Sequence, residues 1–321
     1  MPSRSLPLAS AAALLLLAGC AAVPAPETTE SPAGAVTVEN CGTSVTFDTA
    51  PERVVTIKST STEMLLALGV GDRIVGAAFQ DGPVPEQWAD DAAGIPVISD
   101  FMPSEEALLD LEPDLVYAGW ESAFAADAAG ERTELASLGV ATYVQPAACR
   151  SAQVPGKLDF AEIFREIGEA AAIFRVDPAP LILQQQTALD GIVPDDRGLT
   201  ALWYSSGTDT PYVGAGIGAP ELVLETAGLT NIAGDIEQTW SSLGWESIVD
   251  ADPDVIVLID ADWNTAQSKI DLLESNPATA RLTAVQNGAY LILPFAASEA
   301  GVRTVSAAAS LADQLAELEL P

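Results

Sequence analysis

Short apolar runs alternate with segments of helical period along most of the chain. Runs rich in Val, Ile, Leu and Ala at 54–58, 74–77, 96–98, 115–118 and 142–144 read as strands, with helices such as 62–68 between them. Thr60 and Glu63 read as a capping box for that helix, and Gly69 stops it. A second series follows: strands at 200–204, 255–259 and 290–293, helices at 219–227 and 264–273, and a closing helix from about Gly301 to Leu318. Alternation of this kind builds parallel sheets. Between the two series, Phe160, Ile163, Phe164, Ile167, Ala171 and Phe174 form one apolar helical face. Asp177 and Pro178 then read as N-cap and first residue of another helix, which Gly191 and Pro194 end. The pattern predicts an α/β protein: two lobes with largely parallel sheets, joined by a helical linker, with a ligand cleft between them.

One phrase is written twice. "EEALLDLEPDLVYA" at 105–118 and "WESIVDADPDVIVLI" at 245–259 share a glutamate, an apolar run, an acidic residue, Pro-Asp and a strand. Glu106 and Glu246 occupy equivalent places, as do Pro113 and Pro253. The same supersecondary unit is expected in each lobe.

The start of the chain reads as a processing signal. Arg4 precedes an apolar run from Leu8 to Leu17, too short for the ~20 residues of a membrane span. The run ends Leu17-Ala18-Gly19-Cys20, which resembles the bacterial lipobox, so Cys20 is expected to carry lipid. The expected organisation is a signal peptide over 1–19, a flexible tether over 20–35, an N-terminal lobe over 36–158, a linker over 159–193 and a C-terminal lobe over 194–321. That places the protein outside the cytoplasm, held to the membrane by lipid alone. With Cys20 assigned, Cys41 and Cys149 remain as an even pair, which outside the cytoplasm suggests a disulfide.

Charge narrows the partners. The chain has 46 Asp+Glu against 13 Lys+Arg, a formal net charge of −33, which repels a phosphate backbone and argues against nucleic acid. There is no histidine, which excludes His-dependent nucleophilic catalysis and His-rich metal sites. No resident cofactor or metal is expected.

"ERVVTIKSTSTEMLLALGVGDRIVG", "PSEEALLDLEPDLVYAG" and "WESIVDADPDVIVLI" resemble the substrate-binding proteins of ABC importers for ferric siderophores, haem and cobalamin. The resemblance spans roughly residues 50–318. It implies Rossmann-like lobes bridged by helix, a monomer, and a receptor without enzymatic activity. It also implies that Glu106 and Glu246 meet basic residues of the permease dimer. Apart from the resemblance, a first-turn carboxylate also favours the helix dipole. "VVTIKSTSTEMLLALG" with "ALWYSSGTDTPYVGAGIGAP" resembles the branch proposed to import F-420-0, a deazaflavin coenzyme precursor with an anionic tail.

Ligands of such sheets lie beyond the carboxyl ends of the strands. Reading past each strand gives Lys58, Ser59 and Thr60, then Phe79, then Trp120 with Glu121. The second lobe adds Tyr204 and Ser205, Trp263, and Arg303, with Tyr212 and Trp240 in neighbouring loops. So many aromatics suit a flat or conjugated ligand, either a small anionic aromatic molecule or a metal chelate. Lys58 and Arg303 are cations beside helix starts, a conflict that a bound anion relieves; either can instead pair with Glu63 or Glu299. "GAGIG" at 214–218 is either a tight turn or a set of N–H groups for an anion. The alternative function is an extracytoplasmic enzyme on the same scaffold, with Glu121 or Glu299 as base.

Overall fold

The structure, a computed structural model, describes Met1 and residues 34–150 and 156–320. The signal peptide, Cys20 and nearly all of the tether lie outside the described residues.

The described chain begins with an antiparallel hairpin of β1 (Val36–Asn40) and β2 (Thr43–Phe47). The N-terminal lobe is then a five-stranded parallel sheet of β3 (Val54–Ile57), β4 (Ile74–Ala78), β5 (Val97–Ser99), β6 (Leu115–Ala118) and β7 (Ala141–Val144), in the order β5-β4-β3-β6-β7. Helices α1 (Ser59–Ala67), α2 (Ala89–Ala92), α3 (Glu105–Leu109) and α4 (Arg132–Ser137) connect these strands. The linker holds α5 (Phe160–Phe174) and α6 (Ala179–Asp190).

The C-terminal lobe is a six-stranded mixed sheet. It contains β8 (Thr200–Ser206), β9 (Tyr212–Gly214), β10 (Thr230–Asn231), β11 (Trp240–Ser242), β12 (Val255–Asp260) and β13 (Tyr290–Pro294). Its order is β11-β9-β8-β12-β13, with β10 beside β8. Its helices are α7 (Ala219–Thr226), α8 (Trp245–Ala251), α9 (Ala266–Ser275), α10 (Thr283–Gln286) and α11 (Thr304–Glu317). Strands β8, β10, β12 and β13 are parallel, whereas β9 runs antiparallel to its neighbours β8 and β11. Tyr212 and Trp240 therefore sit on strands, β9 and the edge strand β11, not in the loops expected. Those strands are three residues each, too short for alternation to register.

The doubled phrase folds into matching parts. Glu106 and Glu246 are each the second residue of their helix, α3 and α8, and both are exposed. Leu108 and Ile248 are the buried residues of those helices. Glu112 and Asp252 both take left-handed backbone, with φ of 47° and 41°. Asp114 then accepts the N–H groups of Glu52 and Arg53, just before β3, at 2.8 and 3.0 Å. Asp254 accepts the N–H of Thr200, at the start of β8, at 2.8 Å. In each lobe the aspartate after Pro fastens the start of the central strand.

Two helix starts differ from expectation. Helix α1 begins at Ser59, so Thr60 lies inside its first turn and caps nothing, and Glu63 turns instead to Arg303. Helix α6 begins at Ala179 with Pro178 as its N-cap, and Asp177 accepts the Ala179 N–H at 2.9 Å.

The lobes share apolar packing. Ile163, Ile167 and Phe174 of α5 are buried with N-terminal core residues, and Ala219, Leu222 and Val302 of the C-terminal lobe join that cluster. Cys41 and Cys149 form a disulfide, 108 residues apart. Beside it, the Asn40 side chain donates to the Val144 carbonyl at 2.7 Å and accepts the Val144 N–H at 2.8 Å, which fastens the hairpin to the end of β7.

Candidate functional site

The C-terminal ends of strands from both sheets open onto one cleft of about 500 Å³. The N-terminal wall carries Trp120 and Glu121 after β6, Gln145 to Ala148 and Arg150 after β7, and Leu158 and Glu162 from the start of the linker. The C-terminal wall carries Ser205 and Ser206, Tyr212, Trp240 and Trp263. Phe295, Ser298 and Glu299 close it below β13.

The aromatic side chains come in pairs. Tyr212 and Trp240 stack at 5.9 Å with planes 13° apart. Trp263 meets Phe295 edge-on at 5.7 Å, and Trp120 meets Phe79 edge-on at 5.6 Å. Trp263 is 64% exposed and Tyr212 43% exposed, so both keep area free for a ligand face. The loop bearing Trp263 is fastened to α9. Lys269, buried in α9, donates to the carbonyls of Ile259 and Asn264 at 2.7 and 2.6 Å. Burial pulls the Lys269 amine down to about 8, against the pull of Asp260.

Five of the expected ligand residues line this cleft: Trp120, Ser205, Tyr212, Trp240 and Trp263. The other six do not. Lys58 is 1% exposed and salt-bridged to Asp81, under a lid of Trp120, Phe79 and Phe295 at 3.9, 4.3 and 5.1 Å. Ser59 exchanges hydrogen bonds with Asp81, accepting its N–H at 2.8 Å and donating its own at 3.2 Å. Thr60 lies beneath Gly119, where a Cβ would come within 2.3 Å of the Thr60 hydroxyl. These three therefore form the underside of the N-terminal wall. Phe79 backs Trp120. Tyr204 is 1% exposed, packs edge-on against Trp245 and donates to the Gly207 carbonyl at 2.5 Å. Arg303 makes a two-pronged salt bridge to Glu63, with Nε donating at 2.6 Å, and also reaches the Pro83 carbonyl at 3.1 Å. The sequence places Lys58 and Arg303 at strand exits, but their carboxylate partners lie 23 and 240 residues away.

Burial raises the carboxyls of Asp81 and Glu63 despite the pull of Lys58 and Arg303. Burial also raises half-buried Glu299, against Lys58 and the Trp120 hydrogen bond. Gln145, Arg150 and Glu162 are cleft residues that the strand-exit reading missed. The rule that found the others, applied past 142–144, leads directly to Gln145.

Gln145 sits in a buried polar chain. It accepts from the Tyr117 hydroxyl at 2.5 Å and donates to Glu166 at 2.7 Å. The other Glu166 oxygen is buried without a partner. Burial pushes this carboxyl up to about 8, opposed by Gln145, Arg165 and the Ala147 N–H and assisted by Glu162. A carboxyl raised on folding stabilises most below its ordinary value, and that contribution is lost as pH rises through about 8. Between pH 5 and 9, wild type should lose on the order of a few kcal/mol more stability than Glu166→Gln. Urea unfolding at both pH values checks this; parallel losses in the two proteins would exclude the role.

The profile of the family described as "Periplasmic binding protein" matches residues 54–297. A protein of Halobacterium salinarum named "Cobalamin-binding protein" is 32% identical over 227 residues, 67% of this chain and 56% of that protein. The chain thus matches little more than half the length of that relative. Among solved structures, a periplasmic binding protein of Veillonella parvula superposes with a TM-score of 0.76 at 23% identity, covering 89% of this chain and 99% of that one. A protein of Saccharomonospora viridis, described as an ABC-type Fe3+-hydroxamate transport system, gives 0.74 at 25% identity, covering 87% and 98%. A periplasmic haem-binding protein of Vibrio cholerae gives 0.64 at 19% identity, covering 82% and 98%.

Proposed function

The chain belongs to the periplasmic binding protein family, and on that premise we propose that it is a lipid-anchored receptor that delivers a small organic ligand to an ABC import permease. The observation that carries this reading is the aromatic cleft between two lobes, with ring faces offered from both walls. Its volume suits a ligand of drug-like size. The ligand is a conjugated molecule: an F-420-0-like deazaflavin precursor or a ferric siderophore, with a corrinoid supported by the name of the Halobacterium relative. In this reading 36–158 and 194–321 are the lobes, 159–193 the linker, and Cys20 the lipidated residue.

Native mass spectrometry of protein purified from its own host tests the reading. A conjugated small molecule should leave with the protein and be recovered chemically unchanged. A ligand recovered as a reaction product would favour the enzyme alternative, with Glu121 or Glu299 as base. Tryptophan fluorescence should then rank F-420-0, ferric catecholates, ferric hydroxamates and cobalamin, since Trp120, Trp240 and Trp263 all line the cleft.

Anchoring has its own test. Cys20→Ser should move the protein from the membrane fraction to the soluble fraction or block its processing. Wild-type protein found wholly soluble and without lipid would rule the anchor out.

A further inference from the structure

We propose that the C-terminal wall of the cleft carries an oxyanion seat, formed by the first turn of α7, the Ser205 hydroxyl and the Arg150 guanidinium, which takes a phosphate or carboxylate of the ligand. This rests on reading the cleft as the ligand site.

The start of α7 is forced to the cleft wall by packing. A Cβ on Gly216 would lie 1.9 Å from the Gly234 carbonyl oxygen, and one on Gly214 would lie 2.3 Å from Pro220. One on Gly218 would lie 3.0 Å from Thr239. Only glycine permits this close approach at 214 and 216. In the turn, the N–H groups of Ala215, Gly216 and Ile217 bond to Thr239, Ile236 and Gln238 carbonyls at 3.1, 2.9 and 3.2 Å. Those of Gly218 and Ala219 have no acceptor among the described residues, and both residues line the cleft. Gly218 is the N-cap and has no side chain to cap with. An eight-residue helix thus presents to the cavity its positive end, with N–H groups that have no acceptor among the described residues.

Ser205 is the independent sign of a ligand. It is 4% exposed, lines the cleft, and its hydroxyl has no partner among the described residues. Ser205 lies where the pairing of β8 with β9 shifts register, between Tyr204 and Ser206, and it lines the cleft. A Cβ on Gly214 would lie 2.9 Å from Trp203 as well as 2.3 Å from Pro220, so Trp203 packs under the start of α7. Ser205 stands two residues further along β8, on the cleft side.

Arg150 brings the charge from the other lobe. It donates to the Thr239 hydroxyl at 3.0 Å, and Thr239 is the residue packed against Gly218. Among the described residues it is the one cation on the cleft wall, because Lys58 and Arg303 are spent beneath it. The nearby carboxylates each have partners. Glu162 bonds to Arg165 at 2.6 Å, and Glu121 accepts the Arg150 backbone N–H. Glu221, in the first turn of α7, turns to Asn231 and Lys157 at 2.9 and 3.2 Å. Burial raises the Glu299 carboxyl, against the pull of Lys58 and Arg150. Two amides, a hydroxyl and a guanidinium match an oxyanion.

The test titrates the whole protein with phenyl phosphate, benzoate and neutral benzamide, following backbone amide resonances. Phenyl phosphate or benzoate should shift the Gly218 and Ala219 amides and benzamide should not; which acid acts more strongly identifies the oxyanion. Arg150→Gln and Ser205→Ala should each weaken the acid's binding by about tenfold or more, with spectra unchanged away from the cleft. Acids that shift only resonances around Trp120 and Trp240 would overturn the seat and leave the receptor standing. Equal shifts at Gly218 from benzamide would also overturn it. No shift anywhere in the cleft would remove the seat, and a failure to recover any native ligand would remove the receptor with it.

Discussion

The double reversal Glu106→Arg with Glu246→Arg is expected to abolish uptake while ligand affinity stays within a few-fold. Both glutamates are exposed second residues of short helices, in units that match down to the buried residue, the left-handed residue and the strand-fastening aspartate. In the docking reading, two equivalent charges serve a permease dimer. Close interfacial charge pairs couple by about 1.5–7 kcal/mol in the best-measured complexes, so two reversals exceed what transport can tolerate. The fold should hardly notice, because each glutamate favours its helix dipole by only about 0.3–1 kcal/mol. Asp110→Arg with Asp250→Arg is the control: these exposed carboxylates lie at equivalent places near the other ends of the same helices. Normal uptake by the Glu106/Glu246 variant would refute docking. Equal loss in the control would assign the effect to overall charge.

Arg303→Ala is expected to cost about 3–5 kcal/mol of stability, the range for stranding one member of a buried ion pair. Glu63 is 1% exposed and the Arg303 side chain 11%, and the pair joins α1 of one lobe to the start of α11 of the other. The carboxyl left behind is already raised by burial, so it should take up a proton, and the loss should shrink at acid pH. Arg303→Met with Glu63→Leu should recover most of the loss, because apolar replacements leave no charge buried. Urea unfolding of the three proteins at pH 5 and 8 tests this. A single variant as stable as wild type would show that the pair contributes little.

Arg303 also marks where reading a sequence meets its limit. Strands were legible because β-branched runs at 54–58, 115–118 and 255–259 are buried on both faces and carry their own signal. The doubled phrase was legible because both copies solve one local problem, ending a short helix and fastening a strand. The cleft was legible as a set of strand exits with their neighbouring loops: Trp120, Ser205 and Trp263 from the exits and Tyr212 and Trp240 from the loops do line it. The direction of a side chain at an exit was not. Lys58 turns under the wall because Asp81 waits there, and Arg303 crosses to Glu63; neither partner follows from local pattern. The three-residue strands β9 and β11 were missed for the related reason that a tertiary neighbour, not propensity, makes them strands.

The bond between Cys41 and Cys149 braces one wall of the cleft. Cys149 immediately precedes Arg150, and the same loop contributes Gln145 to Ala148 to the cleft. In the reducing cytoplasm these thiols stay apart, so a newly made chain lacks the brace on that wall. Closing a loop of this length is worth on the order of 4 kcal/mol in the chain-entropy model. If the chain is exported as proposed, this wall of the cleft is braced only after it has left the cytoplasm.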